Sequence, residues 1–420
     1  MNKPRLHSID LLRGLIMVIM ALDHVRDFFY FHTIDPTNLE QTTPVLFFTR
    51  WITHFCAPTF ILLAGVGAAL SRLRGKSPTE LTCFLITRGV WLIFLEWMVV
   101  RTFGWAWNFD FAYLPCWVIW TLGWSMIMLG ILSRFPNWVP IVFGLTLIFG
   151  HHLVDHIKGE QISSCSWLWH ILHDPCDLVV PKLGLVVKQA SDHGVVIHTG
   201  YSLILMKQPS DNPLPGVVLS AGYPLIPWVG VMAVGYGLGM TYGWEAKRRR
   251  RLLYQLGLAC CLGFVLLRFI NGYGETSHWA VQPSPIMTFI SFLNCTKQPP
   301  SLCYLLMTLG PALLFLAWFD AGVGRWARPL IIFGKVPLFF YLLHLPLIHG
   351  LWVIAAWWHL HQFPAWLFSN PPLGHVPHDF GFSLPVVYAV WVGVILMLYP
   401  LCHWYAGIKQ RHKSVWLSYL

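Results

Sequence analysis

Ten apolar stretches, separated by polar, Pro-containing or Gly-containing breaks, run along almost the whole chain. Each approaches the roughly twenty residues that cross a bilayer, so they predict helices over 8–30, 45–70, 80–102, 114–132, 138–155, 217–242, 252–271, 301–319, 330–356 and 384–405. The expected fold is an all-α polytopic membrane protein with about ten transmembrane helices. No repeat or low-complexity tract divides it, so residues 1–420 read as a single transmembrane domain. The segment from about 156 to 216 is the one long interruption and predicts an extracytoplasmic loop or cap. The first apolar stretch exceeds a secretory h-region, and no small-residue cleavage site follows Asp23-His24, so it reads as a retained helix.

Composition agrees with the pattern. The 420 residues are 56% hydrophobic and 11% charged, against roughly 25% charge in soluble proteins, which excludes soluble, collagenous and disordered classes. A net charge of +10 would suggest nucleic acid in a soluble chain, but here the basic residues sort by side. One side receives Lys3, Arg5, Arg72, Arg74, Lys76, Arg134, the run Lys247 to Arg251, Arg325, Arg328, Lys409, Arg411 and Lys413. The other holds Lys158, Lys182, Lys188, Lys207 and Lys297. The positive-inside rule then predicts an N-in, C-in, multi-pass protein of the cell (inner) membrane, with lipids as its surroundings and no nucleic acid as partner. Ten cysteines show no zinc-ligand spacing. Cys165 and Cys176 share the long outer loop and can pair if that side is oxidising.

Ionisable groups within a span are costly and mark polar pathways or internal pairs, and the first helix is dense with them. Arg13 and His24 are eleven residues apart, about 20° from three full turns, so they share a helix face at roughly 16 Å along the axis. His24 suits a general base or acyl acceptor, with Asp27 three residues on to orient it; the alternative is an interfacial histidine satisfied by Asp23, Asp27 and water. Arg13 can bind an anion such as a phosphate or pair with Asp10. In the second helix Arg50 and His54 share a face, where Arg50 either holds substrate or pairs with Asp23 or Asp27. Glu96 and Arg101 in the third helix, five residues apart, should find different partners. His344 sits among aromatics near mid-membrane, as core residue or substrate contact. The junction Ser291 to Ser301, with Asn294 and Lys297, suits a polar or sugar-like ligand, or is a capped re-entrant turn. His151, His152, Asp155 and His156 lack further ligands in register, so no metal is expected.

The segment Arg5 to Gly14, followed by Asp23-His24, resembles the opening motif of the heparan-α-glucosaminide N-acetyltransferase catalytic-domain family. Arg50 to Phe60 with Ala64-Gly65, Tyr223 to Trp228, the Ser291 to Ser301 junction and Gly334 to His344 extend that resemblance. Arginine, ten residues, then histidine is also similar to the motif of the acyltransferase type 3 membrane family and of glucan succinyltransferases. The resemblance implies transfer of an acyl group, expected to be acetyl, from cytoplasmic acyl-CoA to an extracytoplasmic sugar hydroxyl or amine. The residue-by-residue reading is compatible: Arg13 can hold donor phosphates, and Arg50, His54, Asn294, Lys297 and His344 are the candidate acceptor contacts. The lysosomal branch has Asn where this chain has His24 and draws its catalytic histidine from the following outer loop, where this chain offers His32. His24, with Asp27, is the first candidate and His32 the second.

The second reading, which intramembrane charge by itself supports, is a proton-coupled transporter or flippase of a polar substrate using Asp23, His24, Asp27 and Arg50. A polytopic scaffold without turnover is the third reading. Acyl group, acceptor and oligomeric state stay open at this level.

Overall fold

The computed structural model describes residues 7–157, 166–181, 204–206, 216–412 and 417. Fourteen α-helices are described: α1 (His7–Phe29), α2 (Pro44–Trp51), α3 (Cys56–Leu73), α4 (Pro78–Leu95), α5 (Val118–Leu132), α6 (Trp138–Gly150), α7 (Ser166–Leu172), α8 (Leu225–Met240), α9 (Ala246–Ile270), α10 (Pro285–Leu293), α11 (Leu302–Phe319), α12 (Arg328–Lys335), α13 (Pro337–Leu360) and α14 (Leu384–Arg411). Among the described residues seven helical segments are long and apolar enough to cross a membrane: Pro44–Leu73, Pro78–Ala106, Leu225–Gly243, Ala246–Ile270, Leu302–Phe319, Pro337–Leu360 and Leu384–Arg411. Val118–Leu132 and Trp138–Val154 are apolar but shorter, and α1 carries Asp10, Arg13, Asp23, Arg26 and Asp27 along its length.

The helix starts follow local chemistry. Thr43-Pro44, Ser77-Pro78 and Ser284-Pro285 each put a hydroxyl at the N-cap, accepting a backbone N–H, and proline at the first helical position. Ser77 and Glu80 complete a reciprocal capping box. The expected helix at 217–242 begins only at Leu225. Gly216–Ser220 is instead strand β4, because its backbone pairs with Asp177–Pro181 (β2) and Tyr113–Pro115 (β1). With Ile204–Met206 (β3) these form a four-stranded sheet in the order β1-β4-β2-β3, parallel only between β1 and β4. The basic run Lys247 to Arg251, expected before a helix at 252, forms the first turns of α9. There Arg249 is bound to Asp320 at 2.6 Å. The predicted Cys165–Cys176 pairing lies outside the described residues at Cys165, as do Ser163, Ser164, His193 and Lys158, Lys182, Lys188 and Lys207 of the loop.

Helix α1 runs through the middle of the bundle, against α3, α11, α12, α13 and α14. Its approach to α12 is backbone on backbone. A Cβ on Gly14 would strike the Leu330 carbonyl, and one on Gly334 would strike the Asp10 carbonyl. Such small-residue contacts let membrane helices pack without intervening side chains. The close approach also lets Arg13 Nη1 donate to the Gly334 carbonyl at 3.3 Å.

The Glu96 and Arg101 side chains, both buried, have separate partners. After Leu95 the helix widens into a π-helical segment, Glu96–Ala106. The Glu96 carboxylate accepts the Ile119 and Trp120 N–H groups at 3.0 and 3.1 Å, capping α5. Arg101 donates to the carbonyls of Tyr113 and Asn108 at 3.2 and 2.6 Å and to Asn370 Oδ1 at 3.0 Å. Arg268 likewise donates to the carbonyls of Phe292, Ser277, Ser291 and Asn294, at 2.8, 2.6, 3.0 and 2.8 Å, closing the end of α10. These three side chains satisfy backbone where helices stop inside the bundle.

Gly14→Ala should lower the thermal midpoint of the detergent-purified protein, overpacking costing about 1–3 kcal/mol. Gly407→Ala, where an added Cβ meets nothing within 4 Å, should leave it unchanged.

Candidate active site

Two cavities meet at His24. The first, of about 340 Å³, runs from Arg13, Arg88, Lys335 and Lys409 to His24, between apolar walls that include Met17, Met20, Leu63, Phe84, Leu92 and Met126. The second, of about 420 Å³, is lined by Asp27, His32, Asp35, Arg26 and Arg50 and by the aromatic rings of Tyr30, Trp105 and Trp117. Asp23, His24, Val118, Tyr223, Lys297 and Tyr341 line both. Arg13 and His24 thus line one cavity from one face of α1, as their spacing requires.

The His24 ring is held on several sides. Trp105 meets it edge-on at 5.2 Å and Tyr341 at 6.4 Å, and the His344 ring stacks at 4.9 Å. Trp105 comes from the π-helical segment, a type of irregularity common at functional sites. His24 Nδ1 is 2.7 Å from His344 Nε2. The hydrogen-bond network fixes the tautomers. His344 Nδ1 lies 2.6 and 3.2 Å from the carbonyls of Tyr341 and Phe340, and a carbonyl only accepts, so Nδ1 carries the proton. In a neutral His344 the Nε2 lone pair then accepts from His24 Nδ1–H. His24 Nε2 is left as the unprotonated, basic nitrogen.

Beside it, one carboxylate serves two guanidinium groups. Asp23 accepts from Arg50 Nη1 at 2.8 Å through each oxygen, from Thr53 Oγ1 at 2.8 Å, and pairs with Arg26 Nη2 at 2.9 Å. Arg26 Nη2 also reaches Asp27 at 2.5 Å. Arg50 is therefore paired with Asp23 while still lining the second cavity, and Asp27 is held by Arg26.

The remaining sequence candidates divide. His32 lines the second cavity; among the described residues its Nε2 has no hydrogen-bond partner, and burial holds the ring below the usual histidine range, with Asp27 pulling the other way. His344 is fully buried behind His24. His54 is buried with its ring edge-on to Tyr304 at 5.4 Å, and its carbonyl accepts from the Tyr304 hydroxyl at 2.8 Å; it lines neither cavity. Asn294 also lines neither, donating instead to the Thr37 carbonyl at 2.8 Å. The outer histidines gather around Asp155, which pairs with His152 at 2.5 Å and His173 at 2.9 Å. Among the described residues no three His, Cys, Asp or Glu side chains are grouped to hold a metal.

Two features escaped sequence reasoning. Trp105 and Tyr223 give no pattern that marks them as cavity walls. Glu275 is the other: its buried carboxylate accepts the Thr296 N–H at 3.1 Å and the Thr296 and Ser301 hydroxyls at 2.6 Å each, fastening the turn that carries Lys297.

Asp23→Ala should destabilise the protein by about 3–5 kcal/mol, because two guanidinium groups lose the carboxylate they share. A fall in thermal midpoint, reversed in large part by the double variant Asp23→Ala with Arg50→Met, checks this.

No curated protein matches the chain. The model of the heparan-alpha-glucosaminide N-acetyltransferase catalytic family matches residues 5–177. That stretch includes Arg13, His24, Asp27, His32, Arg50 and His54, while Lys297 and His344 lie beyond it. Over residues 5–177 the chain is similar to the heparan-alpha-glucosaminide N-acetyltransferase catalytic family.

Proposed function

We propose that the protein is a membrane acetyltransferase that moves an acetyl group from acetyl-CoA to a sugar hydroxyl or amine, with His24 as general base. The meeting of two chemically different cavities at one histidine is the observation that carries this reading. The first cavity has four cations at one end, Arg13, Arg88, Lys335 and Lys409, and apolar walls leading to His24. That order suits a ligand with phosphates at one end and a thioester at the other. The second cavity combines carboxylates, cations and aromatic faces, a mixture suited to a hydroxylated ring. A transporter would need neither a cation-lined cavity ending at a base nor the family match, so transferase chemistry is favoured over proton-coupled transport.

In this reading the acceptor O–H or N–H gives its proton to His24 Nε2 as its heteroatom attacks the thioester carbonyl carbon. The C=O electron pair moves onto oxygen, forming a tetrahedral intermediate. Its collapse re-forms the carbonyl and breaks the C–S bond, and the departing thiolate recovers the proton from His24. His344 is a positioning residue: it accepts His24 Nδ1–H and so keeps Nε2 basic, and Trp105 and Tyr341 limit ring rotation. The cationic end of the first cavity lies where α1 begins and α14 ends, and the charge asymmetry of the sequence supports a cytoplasmic position for these. The donor would then enter from the cytoplasm of a cell-membrane protein and the acceptor from the opposite side.

Purified wild-type protein should bind acetyl-CoA and release CoA slowly with water as acceptor. His24→Ala should bind acetyl-CoA normally and lose turnover by about 100-fold or more. His344→Phe should retain binding and lose about tenfold or more, whereas His32→Ala should stay near wild type. Loss confined to His32→Ala would move the base to the outer loop, and absence of acetyl-CoA binding in every variant would sink the transferase reading. Lys335→Ala should raise the KM for acetyl-CoA several-fold with little change in kcat, because a phosphate contact acts on ground state and transition state alike.

A further inference from the structure

His24 accounts for the proton but not for the negative charge that develops on the thioester oxygen. Three cationic or phenolic side chains line both cavities at their junction: Tyr223, Lys297 and Tyr341. Among the described residues, Lys297 is the one Lys or Arg that lines both cavities. Arg13, Arg88, Lys335 and Lys409 belong to the first, and Arg26 and Arg50 to the second, where Asp23 and Asp27 neutralise them. The Lys297 ammonium lies over the Tyr223 ring, 5.4 Å from its centroid.

The Lys297 backbone is unusually well fixed for a residue between helices. Lys297 and Pro300 form an antiparallel bridge, and the Ser301 N–H donates to the Thr296 carbonyl at 3.0 Å. Glu275 holds both ends of the turn through Thr296 and Ser301. Ser301 also caps α11 by accepting the Tyr304 N–H at 3.0 Å. The turn is thereby locked to the start of a buried helix, so the ammonium is carried on a preorganised support, as electrostatic catalysis demands.

Resting on the acyl-transfer reading, we propose that Lys297 is a second catalytic residue, whose ammonium stabilises the thioester oxyanion, and that Glu275 is its positioning residue. When water or the acceptor attacks the carbonyl carbon and its proton passes to His24 Nε2, the C=O electron pair moves to oxygen opposite the Lys297 charge. When the C–S bond breaks, that pair returns to the carbonyl, the thiolate takes the proton back from His24, and Lys297 keeps its own protons throughout.

The test measures CoA release from acetyl-CoA with water as acceptor, which removes sugar binding from the comparison. Lys297→Met should lower kcat about 100-fold, the scale of losing one oxyanion donor, with the KM for acetyl-CoA changed less than threefold. Lys297→Arg, which keeps the charge, should recover at least a tenth of wild-type kcat. Glu275→Gln should lower kcat about tenfold at unchanged acetyl-CoA binding, and thermal midpoints near wild type for both Lys297 variants verify the fold. A Lys297→Met enzyme within threefold of wild-type kcat overturns the proposal and makes Lys297 at most an acceptor contact. Absence of CoA release by the wild type also overturns it, and the acyl-transfer reading falls with it only if acetyl-CoA fails to bind as well.

Discussion

A helix that takes five charged side chains through an apolar bundle has to be wrapped in protein, and most of the architecture follows from that constraint on α1. Lipid offers those groups no partner, so neighbouring helices must supply them. α2 and the turn that joins it to α3 bring Arg50 and Thr53, both of which meet Asp23. α12 approaches so closely that Gly14 and Gly334 leave no room for a side chain. α13 brings the His344 imidazole against His24. The polar stripe that makes α1 expensive is also the stripe along which the two cavities lie, so the contacts that bury the charges also build the site.

Much of this was legible in the sequence wherever the signal was local. Apolar runs marked ten places where helices stand, of which seven are long and apolar enough to cross a membrane among the described residues. The eleven-residue spacing of Arg13 and His24 correctly put both on one face, since helix geometry alone decides it. Position 217 was misjudged because Val217, Val218 and Leu219 are as apolar as a membrane helix, and only pairing with β1 and β2 makes them a strand. The His24–His344 contact spans 320 positions, and nothing local to Phe340-Tyr341-Leu342-Leu343-His344 signals it. Asn294 and Lys297, three residues apart, looked equivalent as polar groups in one junction. Tertiary structure separates them: the Asn294 amide is used by the Thr37 carbonyl, while Lys297 borders both cavities.

The buried charges divide by what they neutralise. Arg101, Arg268 and Glu96 serve backbone carbonyls and N–H groups left over where helices stop short inside the bundle. Asp23, Arg26 and Arg50 serve one another. Intramembrane charge by itself therefore did not separate scaffold from chemistry. The groups of the first kind line neither cavity, whereas those of the second kind together form a wall of the second, and Asp23 lines the first as well.

The shared wall at His24 also bears on how such a protein can cycle. A carrier must expose one site to each side in turn, and its rate is tied to a rocking motion of whole helices. Under the acyl-transfer proposal, two chambers that already meet at a single imidazole would make that motion unnecessary: each reactant would leave by the way it came, and only the acyl group would pass the partition. The bundle can then be rigid, which is the property that glycine-on-glycine packing between α1 and α12 supplies.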